Sequence, residues 1–116
     1  MWSPEQLRLL AEARELEITV EGGPSRWTPI WVVCTGGHAY ARTWYRRGTG
    51  WFGAALRSRR ARIRVPGLAA DVTIEEAAPE TTAEVDAAYR AKYPGGATDA
   101  MVTAEAAATT LRFDPR

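Results

Sequence analysis

Apolar residues first recur at helical spacing. Leu7, Leu10 and Ala11 follow Ser3-Pro4-Glu5-Gln6, where Ser3 can cap, Pro4 suits a first helical position and Gln6 can close a capping box. This predicts a helix over 4–13. The period then changes to two. Leu16, Ile18 and Val20 alternate with Glu17, Thr19 and Glu21, which predicts a half-buried strand over 16–21, ended by Gly22-Gly23-Pro24-Ser25. Residues 28–35 are bulky and β-branched, Gly36-Gly37 reads as a hairpin turn, and 38–44 is the returning strand. Period two places Tyr40, Arg42 and Trp44 on one face of that strand, with Ala39, Ala41 and Thr43 on the other. Residues 46–50 read as a loop, and 51–57 as a short helix carrying Trp51, Ala54 and Ala55 inward.

A second hairpin runs over 61–65 and 71–75 around Pro66-Gly67, with Ile63 and Val65 facing in beside Val72 and Ile74. A turn centred near Gly67-Leu68 would bring Arg64 near Asp71 and Arg60 near Glu75. A helix over 82–93 is stopped by Pro94-Gly95-Gly96, and a short helix over 99–106 and a strand over 109–113 finish the pattern. Five to six short strands with no alternation of strand and helix indicate a mainly β (β+α) fold, a small antiparallel barrel with a helix or two on its rim. At 116 residues the chain is one domain spanning 1–116.

Charge changes this picture through its distribution, since the net value is only +1. Eight arginines and no acidic residue lie between Arg42 and Arg64, and Tyr40, Trp44, Tyr45, Trp51 and Phe52 are threaded through or beside them. Guanidinium forks fit phosphate or carboxylate, and aromatic faces stack on flat heterocycles. The mixture points to a small anionic or flat aromatic ligand, such as a flavin-type cofactor or a nucleotide. An acidic stretch follows, with Asp71, Glu75, Glu76, Glu80, Glu84 and Asp86, so part of the basic block has internal partners available. Cys34 is the sole cysteine and lies in an apolar run, which reads as a small buried thiol. His38 is the only histidine and follows the turn, so the common zinc spacings are excluded and no metal is expected. Glu5, Arg8 and Glu12 within the first twelve residues and the lack of a long apolar run point to a soluble, cytoplasmic protein with no membrane segment. Tyr89, Lys92 and Tyr93 share a helix face. Tyr89 and Lys92 could supply a catalytic proton donor; the alternative is rim packing with a snorkelling lysine.

Several segments in order carry a resemblance: Arg26-Trp27-Thr28-Pro29-Ile30-Trp31-Val32, Gly36-Gly37, Tyr40-Ala41-Arg42, Gly50-Trp51-Phe52, Arg62-Ile63, Asp71-Val72 and Ala88-Tyr89-Arg90-Ala91-Lys92-Tyr93. Over most of its length the chain resembles a family of small bacterial proteins known only as a domain of unknown function. More distantly, residues 26–65 resemble the deazaflavin-dependent nitroreductases and the wider class of flavin-binding split barrels. That likeness implies a split β-barrel with FMN or a deazaflavin as cofactor, although some of the wider class have none. By this resemblance Arg26 and Pro29 match the motif opening a barrel strand and Trp51 matches the Trp opening a short helix. Arg42, Arg46 and Arg47 occupy the region of the basic loop. Ala54 stands where those relatives have an Asn.

The reading that joins these observations is a split-barrel homodimer, a flavin- or deazaflavin-dependent oxidoreductase. Its pocket is expected between barrel and rim helices or at the dimer seam. Arg26, Pro29, Arg42, Arg46, Arg47 and Trp51 would hold the cofactor. Two other readings stay open. One is a cofactor-free protein that binds a small anion, or an isomerase-type enzyme using Tyr89 or Lys92. The other is a nucleic-acid-binding barrel, which the near-zero net charge disfavours.

Overall fold

A computed structural model of the chain describes residues 1–23, 25–43 and 50–116, with only the backbone of Ala97. In chain order it has α1 (Pro4–Glu12), β1 (Leu16–Val20), β2 (Thr28–Ile30), β3 (Val33–Thr35), β4 (His38–Ala41), α2 (Gly50–Ser58), β5 (Arg60–Val65), β6 (Leu68–Glu76), α3 (Thr82–Lys92), α4 (Gly96–Asp99), α5 (Ala104–Ala107) and β7 (Leu111–Pro115). A 3-10 turn over Pro79–Thr81 leads into α3. The start of α1 has the expected capping box, with Ser3 accepting from Gln6 N–H and the Gln6 side chain accepting from Ser3 N–H. The single short helix expected over 99–106 is two shorter ones. Thr103 caps the second by accepting from Ala106 N–H, so the chain must turn before it.

The described strands form one sheet in the order β2-β1-β5-β6-β7-β4-β3, every neighbouring pair antiparallel. The two edge strands are consecutive in the chain. Only Trp31 and Val32 separate β2 from β3. Laid flat, seven strands would put their edges ~29 Å apart at ~4.8 Å per spacing. Three Cα steps can bridge only ~10 Å. The sheet is therefore curled on itself into a barrel-like half-shell, the fold class that the alternation and the resemblance implied. The one strand expected over 28–35 is the seam of this shell. Its first half pairs with β1 and its second with β4.

Both tight turns follow from their residues. Gly36 and Gly37 have φ of 60° and 83°, the left-handed pair that a two-residue hairpin loop requires. Pro66-Gly67 makes the other turn, so Val65 pairs with Leu68 and Arg62 lies opposite Asp71. This corrects the expected register. A turn centred one residue later would have paired Arg64 with Asp71. Instead Arg62 reaches Asp71 at 2.9 Å, and Arg64 turns to Glu17 on β1 at 2.9 Å and lies over the Trp27 ring at 3.9 Å. Each pair is about half exposed. Solvent screens it, so Arg64→Ala is expected to lower the urea-unfolding free energy by no more than ~1 kcal/mol.

The barrel interior holds Leu16, Ile18, Ile63, Val72, Ile74, Leu111 and Phe113, closed below by Leu10 of α1 and above by Phe52, Ala54 and Ala55 of α2. A second, smaller cluster lies outside the shell. There α3 covers the outer face of β3 and β4, and Val33 and Tyr40 pack with Val85, Tyr89, Tyr93 and Met101. The period of two in β4 thus serves two cores, with Ala39 and Ala41 facing the interior and Tyr40 facing α3. Among the described residues no helix is long and apolar enough to cross a membrane.

Candidate functional site

Because neighbouring strands alternate in direction, the ends of β1 and β4 and the starts of β2 and β5 share one rim. The loop after β1 carries Arg26, and α2 carries Trp51; both lie at this rim. The two elements touch through Gly23, where an added Cβ would come 2.9 Å from the Ala54 Cβ. A glycine and an alanine are what permit that approach. Arg26 is exposed and makes no ion pair among the described residues. Pro29 is exposed in edge strand β2, where it offers no N–H. Trp51 is half-buried and meets Phe52 edge to face at 5.6 Å. Arg46 and Arg47, with Trp44 and Tyr45, lie outside the described residues.

Arg42 stands apart from this group. The residue is 1% exposed. Nε donates to the Thr110 hydroxyl at 2.8 Å, and Nη1 donates to the Asp86 carboxylate at 2.5 Å and the Met101 carbonyl at 2.8 Å. Nη2 faces the Thr82 carbonyl at 3.4 Å. The guanidinium is thus enclosed by α3 and the segment before β7, with its fork engaged by protein acceptors. Periodicity showed that Arg42 shares a face with Tyr40. It did not show that α3 covers that face.

The last turn of α3 performs a second internal task. Lys92 Nζ donates to the carbonyls of Leu10 at 3.2 Å and Val32 at 2.6 Å. The Tyr93 hydroxyl accepts from Val32 N–H at 3.3 Å and lies 2.5 Å from the Arg14 carbonyl, to which it donates. Its ring stacks on Trp31 at 4.1 Å. Val32 lies between β2 and β3, so these side chains satisfy backbone groups that the sheet leaves open. Leu10 belongs to the last turn of α1, which has no basic residue of its own, and Lys92 supplies the cation there. Tyr89 is fully buried, and its hydroxyl accepts from Arg42 N–H at 3.0 Å. Tyr89 and Lys92, the two candidates for proton donation, therefore face backbone groups, and the Lys92 ammonium is turned onto carbonyls instead of snorkelling to water.

Burial lowers the Lys92 pKa from 10.5 to about 8, with a small opposing effect from Cys34. Burial also raises Tyr93 from 10.0 to about 12, and raises Tyr89, Tyr40 and Cys34 above their ordinary values. Between pH 8 and 10.5 the folded chain has released the Lys92 proton and the unfolded chain has not. Unfolding takes up a proton there, so this contribution to stability rises with pH. The tyrosines act oppositely, because above pH 10 the unfolded chain loses phenolic protons that the folded chain keeps. Cys34 adds the same opposing trend above pH 9. Stability is expected to rise above pH 8 and to fall above pH 10. Urea denaturation across this range should lose the rising limb, but not the falling one, in Lys92→Met.

The outer face of β1, β5 and β6 carries most of the remaining basic block. Arg62–Asp71, Arg64–Glu17 and, beyond the strand, Arg59–Glu76 at 3.2 Å are paired, while the exposed Arg60 makes no ion pair among the described residues. Two shallow depressions open on this face, of about 280 Å³ beside Arg62 and Asp71 and about 370 Å³ beside Glu17 and Arg64. The first is lined by the paired Arg62 and Asp71 together with Glu21 and Arg116, the second by the paired Glu17 and Arg64 together with Glu15, so carboxylates stand beside the guanidiniums in both. A nucleic-acid surface gains nothing from guanidiniums already matched by carboxylates. Among the described residues no three His, Cys, Asp or Glu side chains converge in a way that could hold a metal ion.

The family described as "Uncharacterized protein conserved in bacteria (DUF2255)" matches residues 6–113. The chain belongs to that family. No curated protein sequence matches it significantly. Among solved structures, a conserved hypothetical protein from Mycobacterium tuberculosis is similar with a TM-score of 0.67 at 15% identity, over 100% of this chain and 81% of its own. An FAD-binding protein from Mesorhizobium loti is similar with a TM-score of 0.56 at 16% identity, over 97% of this chain and 87% of its own. At such identities the likeness concerns the fold, so this family shares its curled barrel with a flavin-binding protein.

Proposed function

We propose that the protein binds a flavin or deazaflavin at the rim shared by Arg26 and Trp51 and acts as an oxidoreductase through it. The observation that carries this reading is the contact of Gly23 with Ala54, which sets the loop of Arg26 beside the helix of Trp51. An exposed guanidinium with no ion pair among the described residues, on a loop packed against the helix that carries an aromatic ring, is a donor set that suits a flat anionic cofactor. The FAD-binding neighbour of the same fold supports it. In this reading Arg26 binds the anionic group, Trp51 borders the ring and Pro29 stiffens the strand that follows Arg26. Arg46 and Arg47 enter from the sequence alone. Arg42 is left out because its donors face protein. The bound cofactor supplies the hydride chemistry itself, so the protein need contribute only anchoring, orientation and exclusion of water. A cytoplasmic homodimer belongs to the same reading, and sedimentation at micromolar concentration tests the dimer.

The experiment is a titration of the purified protein with FMN, FAD and a deazaflavin at low and moderate salt. A charged hydrogen bond to phosphate is worth ~1.5–3 kcal/mol, so Arg26→Ala is expected to weaken binding by about tenfold or more. Its melting temperature should not change, since Arg26 makes no ion pair among the described residues. No binding of any of the three at ~100 μM would remove the flavin reading and leave a cofactor-free anion-binding protein as the better account.

A further inference from the structure

Arg57 is exposed in the last turn of α2 and makes no ion pair or side-chain hydrogen bond among the described residues. A basic residue at a helix end ordinarily serves the last carbonyls. Here Arg59 has taken that task. Its N–H donates to the Ala55 carbonyl at 2.9 Å and its Nε to the Leu56 carbonyl at 3.0 Å. Arg59 also pairs with Glu76. The fold therefore uses one arginine at this corner and leaves the other spare.

The spare one is well placed. Trp51, Ala54 and Arg57 follow one another at intervals of three along α2, so each neighbours the next across one turn. Ala54, the middle one, is packed against Gly23. Arg57 stands one turn beyond that contact, ~4.5 Å along the helix axis. Arg26 is three residues from Gly23 on the loop, at most ~10 Å away. Both long side chains are rooted within reach of the space over the Gly23–Ala54 contact. Trp51 lies on the far side of it, separated from Arg57 by ~9 Å of helix.

We infer that Arg57 is a second anion-binding residue of the proposed site, acting with Arg26 at the end of α2 away from Trp51. The ligand is then elongated: a flat ring at Trp51, a flexible spacer past Ala54, and a phosphate ester between the two guanidiniums. The inference rests on the flavin reading for the ring, and on Arg26 and Arg57 alone for the phosphate.

The test compares riboflavin with FMN, which differ by one phosphate. Arg57→Ala should raise the dissociation constant for FMN about tenfold and that for riboflavin by less than about twofold. Trp51→Leu should weaken both by a similar factor. Arg57→Lys should keep part of the FMN affinity, since the charge remains and the fork is lost. The melting temperature of Arg57→Ala should stay near the parent's, because the side chain has no partner to lose. A residue that only supports the fold would shift both ligands alike. Equal effects of Arg57→Ala on FMN and riboflavin, or no effect on either, would overturn the inference. If the parent protein binds no riboflavin, inorganic pyrophosphate at low salt is the probe instead. Calorimetric binding that weakens in Arg57→Ala and in Arg26→Ala upholds the inference. No binding by the parent, or binding unchanged in Arg57→Ala, overturns it. Failure of FMN as well would remove the flavin reading and leave this pyrophosphate result to decide the anion site.

Discussion

Arg42→Ala is expected to cost ~3–5 kcal/mol of stability, the range for breaking one side of a buried ion pair. At a few degrees per kcal/mol for a domain of this size, that is a fall in melting temperature of roughly 10–20 °C. The reason is what remains behind. Asp86, the Met101 carbonyl and the Thr110 hydroxyl would all lose a donor inside the protein. Lysine cannot serve them together, because a single ammonium lacks the planar fork, so Arg42→Lys should recover only part of the loss. Calorimetry on the two variants and on Asp86→Ala tests this. The Arg42 and Asp86 losses should be strongly non-additive in the double variant, since either one alone leaves the other group unmatched. A melting temperature within ~3 °C of the parent for Arg42→Ala would show that the network is not holding α3 to β4.

The second large effect is expected at the seam. Tyr93→Ala removes a ring stacked on Trp31 and the hydroxyl that meets Val32 and Arg14. Truncating a large buried aromatic costs ~3–5 kcal/mol. Tyr93→Phe keeps the stack and should cost only ~1–2 kcal/mol. Hydrogen exchange localises the effect. The Val32 amide, whose acceptor is the Tyr93 hydroxyl, should exchange faster in both variants under conditions where the β5–β6 hairpin stays protected. Protection of Val32 unchanged in Tyr93→Phe would mean that the seam is held by its covalent continuity and not by α3.

Much of this architecture was legible in the chain. Strict alternation over 16–20 and 60–65, glycines where two-residue turns need left-handed backbone, and the capping box at Ser3 are local signals, and local signals act within a few residues. Clustered arginines among aromatics were legible as well, and so was the family to which the chain belongs. Trp2 was not singled out. It is buried, with its indole N–H donating to the Phe113 carbonyl at 2.8 Å, a contact spanning nearly the whole chain. No periodicity carries such a pairing.

What only the tertiary structure decided is which surface each charged residue meets. In sequence, Arg42, Arg62 and Arg64 belong to one basic block. In space, α3 covers the first and solvent wets the other two, so one is an enclosed hub and the others are screened pairs. The same holds for the strand over 28–35. Its composition predicts extended backbone throughout, and its division at Trp31-Val32 arises because a curled sheet returns its last strand to its first. The side chains that allow the break, Lys92 and Tyr93, are some sixty residues away. Period and propensity determined the strands and turns. Closure of the sheet and the docking of α3, both consequences of burying two apolar faces at once, determined which side chains bind the protein to itself, and the contact of Gly23 with Ala54 set the loop of Arg26 beside the helix of Trp51.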